Sequence, residues 1–242
     1  PLEITPSVFA EPANGKSKLT GQVEYLVLGN VARYGLIPVT NGKESGYAFF
    51  LVDLQDPSIR ISDPVLSLGL HACPAVDVVL KGTPCRQVGE IGKGPAYFAT
   101  ATAAMHLAAA AIAAGIMKGA VKEALAYCRQ REQGGRKIIA WSEMQMLLSD
   151  MVLKVEVADM LLAEACRATE AGVKGWQKKA LAAAVHIQEA ATRVTADGVQ
   201  ALGGVGYMKD FAQEKRMRDA KHNQASLGLT PLKKLNILRQ KL

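Results

Sequence analysis

Aromatic residues are scarce in this chain. Phe, Trp and Tyr make up 5% of its 242 residues, although 49% are hydrophobic, so alanine and leucine must fill the core. That composition suits closely packed helices, because alanine has the best helix propensity and adds little bulk. Cysteine is sparse as well. Cys73, Cys85, Cys128 and Cys166 form no CxxC pair and show no metal-ligand spacing, which excludes a zinc module and a disulfide framework. They are expected to be reduced, partly buried thiols, with no metal site. No charged-then-apolar leader opens the chain, so a cytoplasmic protein is expected. Charge is missing from Pro95 to Met117. That stretch could span a bilayer by length, but alanine and threonine dominate it and His106 sits inside it. A helix buried on all sides in a soluble bundle is expected instead of a membrane span.

The charge that is present lies late. A formal net charge of +7 reflects Lys209, Lys215, Arg216, Arg218, Lys221, Lys233, Lys234, Arg239 and Lys241 against Asp210, Glu214 and Asp219. Such an excess can attract nucleic acid, an anionic membrane or a nucleotide phosphate. No aromatic interleaving or nucleic-acid motif accompanies it, so a solvated helix face is expected and no nucleic-acid partner.

Two textures divide the chain. Residues 1–90 read as a β domain. Lys18 to Leu28, Gly35 to Val39, Tyr47 to Val52 and Val76 to Leu80 are rich in β-branched and aromatic residues. Turn clusters separate them at Pro12-Ala13-Asn14-Gly15, Asn41-Gly42-Lys43 and Asp56-Pro57-Ser58. Residues 91–242 read as a helical bundle. Helices are expected over Tyr97 to Arg131, stopped by Gly134-Gly135, over Trp141 to Ala171, and over Trp176 to Leu202, stopped by Gly203-Gly204. A shorter basic helix follows around Gln213 to Ala225, and a last one from Pro231 with Thr230 as N-cap. Long helices with short links make antiparallel neighbours. The fold class is therefore α+β: a small antiparallel barrel or sheet, then an up-and-down four-helix-type bundle.

The end of the bundle carries a recognisable order of residues. Gln200-Ala201-Leu202-Gly203-Gly204-Val205-Gly206-Tyr207, then Glu214, then Arg218-Asp219-Ala220-Lys221 resembles the pattern of the acyl-CoA dehydrogenase family. Tyr127 to Gly135 is similar to its Tyr-x-x-x-Arg-x-x-Phe-Gly stretch, and Gln145 to Met151 to its Gln-x-x-(Leu/Ile)-(Ala/Ser)-Asp-Met. Gly21 to Gly29 lies without gaps on the family's flavin strand. Leu68-Gly69-Leu70-His71 with Val76 to Leu80 matches the strand pair that closes its β domain. The resemblance spans almost the whole chain.

That resemblance implies FAD, acyl-CoA substrates and removal of an α-proton while a β-hydride passes to flavin. It also implies a helical domain ahead of the β domain, so that either a dehydrogenase-like subunit of a homo- or hetero-oligomer supplies it or this chain is a fragment, and an electron-transfer flavoprotein as a possible acceptor. The family's base falls on Leu227, within Ser226-Leu227-Gly228, and a minority position falls near Ala108, within Ala108-Ala109-Ala110. Neither holds a carboxylate. Glu90, His106 and His222 are weighed as replacements, and His186 as a core residue; packed or solvated roles are expected for the histidines. In the flavin strand the family's Trp and Thr become Tyr25 and Val27, and Val removes a hydroxyl donor. Arg131 is kept, but Gly134 replaces the aromatic. Gln200, Gly203 and Gly204 are kept and approach the adenosine diphosphate half of a neighbour's flavin by the same resemblance. The expected reading is a family subunit or fragment contributing to an FAD site, with a catalytically inactive scaffold as the alternative.

Overall fold

The computed structural model describes residues 7–13, 16–40 and 46–239. It divides into two units, one of Pro1–Ser67 with His71–Ala101, the other of Leu68–Leu70 with Thr102–Leu242. Asn14-Gly15 and Asn41-Gly42-Lys43, read as turns, lie outside the described residues.

The first unit is an antiparallel sheet of β1 (Ser7–Ala13), β2 (Lys16–Val27), β3 (Tyr34–Thr40), β4 (Tyr47–Asp53), β5 (Ile59–Ile61) and β6 (Ala75–Val88). Its hydrogen-bonded order is β1-β2-β6-β4-β3, with β5 also on β6. Alternation explains the core. Gly35, Ile37 and Val39 of β3 turn inward while Tyr34 and Leu36 stay exposed, and Val76, Val78 and Leu80 of β6 join them. Full burial of each such aliphatic side chain contributes roughly 1.5–3 kcal/mol.

β6 runs past the expected end at Leu80. Gly82 takes a left-handed φ of +65° at a register shift opposite Leu19 and Thr20, so an apparent breaker is a bulge inside one strand. Leu68-Gly69-Leu70-His71, expected to be a strand, forms bends and a turn instead.

The second unit holds most of α1 (Gly94–Gln130), α2 (Ser142–Glu170), α3 (Trp176–Leu202), α4 (Gln213–Ala225) and α5 (Thr230–Arg239). Ala110, Ala113, Ala114, Met117, Ala120, Ala124 and Cys128 recur at helical spacing and pack with Met151 of α2 and Ala184, Ile187, Ala191 and Val194 of α3. α1 is apolar and long enough to cross a membrane by length and composition alone. It is not buried on all sides, as expected from its lack of charge: Met105 and Ile112 are half or more exposed.

Gly134-Gly135 is not a helix stop. α1 ends at Gln130, and the two glycines, at φ +63° and +78°, turn a small hairpin between β7 (Glu132–Gln133) and β8 (Arg136–Lys137). Left-handed values at both central residues suit the tight turns that match strand twist. The thiols are free, but Cys73 and Cys166 are exposed, not partly buried. The late basic residues only partly form the solvated face expected, with Lys209, Lys215, Lys221, Lys234 and Arg239 exposed. Lys215 pairs with Asp219, Arg216 with Glu123, Arg218 with Glu214 and Lys234 with Glu189, and Lys233 is buried.

Candidate functional site

One cavity of about 330 Å³ opens where the hairpin, the start of α2 and the end of α3 meet. Tyr127, Gln133, Trp141, Glu143, Gln200 and Gly203 are among its lining residues. The hairpin sets the plane of Trp141. Its indole N–H donates to the Gln133 carbonyl at 3.3 Å, and the Arg136 guanidinium lies 3.6 Å from the ring centroid, within cation–π range. Gly134 makes room for the ring, since a Cβ there would sit 2.8 Å from an indole carbon. The aromatic missing at position 134 is thus matched by one that packs against its backbone. Glu143 is held below the usual carboxylate range by its own backbone N–H, by Ser142 and by the charge of Arg136. Trp141 was legible only as the start of a helix; that it faces a pocket depends on the hairpin.

The glycines after α3 have different tasks. Gly203 caps the helix with φ +63°, its N–H returning to the Gln200 carbonyl. A Cβ on Gly203 or Gly204 would meet nothing within 4 Å, whereas one on Gly206 would strike the Val199 carbonyl at 2.5 Å. Gly206 serves packing, and the first two leave open space beside the cavity. Gln200 is exposed at its rim, and Arg131 is exposed at the base of the hairpin. A flat ring surface, an amide and open backbone beside a cationic side chain suit the adenosine diphosphate half of FAD.

The first unit presents Tyr25 and Val27 at a bulge of β2, where the register with β6 shifts between Val23 and Leu26. Tyr25 takes a left-handed φ of +55°, held by its N–H donating to the Asp77 carboxylate at 3.0 Å. Both side chains are more than half exposed, at 63% and 58%. A ring there can stack on a flat cofactor, but the Val27 side chain offers no hydrogen bond. The residues present fit the nucleotide half of FAD better than its ring system.

The expected base positions hold no acid. Leu227 is half-buried with φ +61°, and Ala108 is exposed on α1. Glu90 is an exposed carboxylate paired with Lys93 at 2.8 Å. His106 is buried, its pKa pushed down to about 4 by burial and by the charge of Lys233. It is therefore neutral at physiological pH but too weakly basic to draw an α-proton. His222 is half-buried on α4, and His186 is exposed, not core as its apolar neighbours suggested.

Sheet and bundle define an α+β fold. The family model described as the acyl-CoA dehydrogenase C-terminal domain matches residues 92–242, and the chain belongs to the acyl-CoA dehydrogenase family. Cyclohex-1-ene-1-carbonyl-CoA dehydrogenase of Syntrophus aciditrophicus is 31% identical over 193 residues, 78% of this chain and 47% of that protein. A 3-(aryl)acrylate reductase of Clostridium sporogenes is 31% identical over 182 residues, 73% and 47% of the two chains. The chain spans about half the length of these curated relatives. Among solved structures, the electron transferring flavoprotein of Acidaminococcus fermentans superposes with a TM-score of 0.93 at 26% identity, covering 98% of this chain and 64% of that one. Butyryl-CoA dehydrogenase from Megasphaera elsdenii gives 0.90 at 24% identity, covering 95% and 62%, and shows the fold.

Proposed function

We propose that this chain is a subunit or portion of a cytoplasmic acyl-CoA dehydrogenase-type flavoprotein that supplies a nucleotide-holding surface for FAD without a proton-abstracting base of its own. The observation that carries this reading is the coexistence of the Trp141–Gln200–Gly203 pocket with an aliphatic residue at position 227. FAD, when bound, accepts a hydride from the β-carbon of an acyl thioester. The protein must supply a base for the α-proton and polarise the thioester oxygen. Leu227 cannot accept a proton, and Val27 cannot donate to the flavin ring.

What the chain retains fits a complementing role in an oligomer. Trp141, with Arg136 stacked on its ring, would lie beside an adenine, and the open backbone at Gly203 and Gly204 would lie near its phosphates. The names of the relatives point to CoA thioesters and related α,β-unsaturated acids as substrates of the complete assembly. An electron-transfer flavoprotein would fit as its redox partner. Leu227 also favours a second reading, a scaffold of the family that binds no flavin.

Adenine nucleotide binding separates the two. ADP titrated into the chain should quench tryptophan fluorescence saturably, and Trp141→Ala should abolish the effect while leaving the Trp176 signal. No saturable quenching, or quenching indifferent to Trp141, contradicts the nucleotide reading.

A further inference from the structure

The connection between α4 and α5 is held by a buried cation that has no anionic partner among the described residues. Lys233 is 3% exposed. Its ammonium donates three hydrogen bonds: to Gln188 Oε1 at 3.0 Å, to the Gln224 carbonyl at 3.2 Å and to the Ser226 carbonyl at 2.7 Å. Two more carbonyls at this end of α4 also have partners. Asn223 O accepts from Gln188 Nε2 at 2.6 Å and from the Ser226 N–H, and Ala225 O accepts from the Gly228 N–H. A helix C-terminus normally leaves four carbonyls without partners. Here Gln188 of α3 meets Asn223 O, Lys233 of the next helix meets Gln224 O, and the following turn meets Ala225 O.

The residues fixed in this way lead into Leu227, whose left-handed φ of +61° disfavours a side-chain-bearing residue by about 1–2 kcal/mol. Such a conformation persists only where its surroundings impose it. Hydrogen bonds to Ser226 O on one side and from Gly228 N on the other impose it here.

We propose that Lys233 is the positioning residue of position 227: its buried amino nitrogen, a hydrogen-bond donor whether charged or neutral, latches the Ser226–Leu229 connection and so presets the backbone on which the family's base would be carried. This deepens the proposed function, resting on it only in taking position 227 as facing substrate. The latch itself is a property of α3, α4 and α5 and survives if no flavin binds.

The titratable and charged groups around the latch are few. α1 contributes His106, which stays neutral above its lowered pKa. α3 contributes neutral Gln188, its neighbour Glu189 being paired with Lys234 of α5. The end of α4 contributes Asn223 and Gln224, both neutral. Burial pushes Lys233 down to about 8, whereas a hydrated lysine titrates near 10.4. An opened connection that hydrates the ammonium therefore binds more protons between these values, and the closed one gains as pH rises.

Amide hydrogen exchange of the full chain between pH 7 and 9, corrected for intrinsic rates, tests the latch. Protection of residues 226–232 should rise about tenfold over this range in the wild type, with α2 unchanged. Lys233→Arg, charged throughout, and Lys233→Met, never charged, should both lose the pH dependence, and Lys233→Met should lose protection in this segment at pH 9. A flat wild-type profile, or the same rise in α2, overturns the proposal. So does a Lys233→Met chain with wild-type protection and slope; if that variant does not fold, the wild-type and Lys233→Arg profiles decide.

Discussion

The carboxylate of Asp219 accepts a 2.7 Å hydrogen bond from the backbone N–H of Leu70, a residue 149 positions earlier in the chain. Arg218 donates to the Leu68 carbonyl at 3.1 Å, and a Cβ on Gly69 between them would lie 2.5 Å from the Arg218 carbonyl. The Arg-Asp pair that helps define the family pattern is thus a clasp in this chain, holding the strap of residues 68–70 against α4. Its role is structural.

Loosening the clasp should destabilise the second unit. Asp219→Asn removes the charge that serves both Leu70 and Lys215, at a cost of about 1–3 kcal/mol in unfolding free energy, read as a lowered urea midpoint. Burial raises the Asp219 pKa, but Lys215 and the Leu70 N–H pull it below the ordinary carboxylate value on balance. Its contribution is therefore present above the unfolded pKa, near 3.9, and is lost as pH falls through the folded value. Asp219→Asn should flatten that acid limb of the stability curve.

His106 acts at a higher pH. Its folded pKa of about 4 lies below the unfolded value near 6.5, so the fold favours the neutral ring. Stability should fall as pH drops from 6.5 toward 4, by roughly 2–4 kcal/mol in all. The Nδ1 atom finds no hydrogen-bond partner among the described residues, so His106→Leu should remove this pH dependence without leaving a new polar group unsatisfied. Denaturant midpoints at pH 7 and 5 check both statements.

Gly134 and Gly135 should respond differently to alanine. Each pays for a left-handed backbone, about 1–2 kcal/mol. Gly134→Ala also drives a methyl into the Trp141 ring, whereas Gly135→Ala enters open space. Thermal unfolding should rank Gly134→Ala well below Gly135→Ala, and only the former should weaken ADP binding.

Much of this structure was legible in the residues. The glycine stop at Gly203-Gly204 located the end of α3 at Leu202, because helix ends have local chemical signatures, and α4 was legible as a short basic helix at Gln213–Ala225. β1 and β5 escaped notice: β1 carries Glu11 and Pro12 in place of a clean alternation, and β5 is only three residues long. The hairpin at Gly134-Gly135 imitated a helix stop, since both need the same left-handed backbone. Lys233 was counted among the solvated basic residues. Composition cannot show which lysine of a short basic helix faces inward, and that information lies in Gln188 and the carbonyls at the end of α4.

Leu227→Glu asks whether the base alone is missing. A carboxylate placed on the latched turn should bring acyl-CoA-dependent flavin reduction above background in an assembled complex, though Val27 leaves the flavin ring without a donor. Stopped-flow bleaching of bound flavin by a panel of acyl-CoA thioesters is the readout. No bleaching with any thioester would place the deficit in the flavin strand as well.

The most direct measurement is flavin content by visible absorption, for the chain alone, for a dehydrogenase-like protein encoded beside it alone, and for the two co-purified. A colourless chain and a flavin-poor partner that together give a resolved flavin spectrum are the predicted result. A partner that holds its full flavin complement without this chain, with no gain on mixing, would contradict a nucleotide-holding role and leave the scaffold.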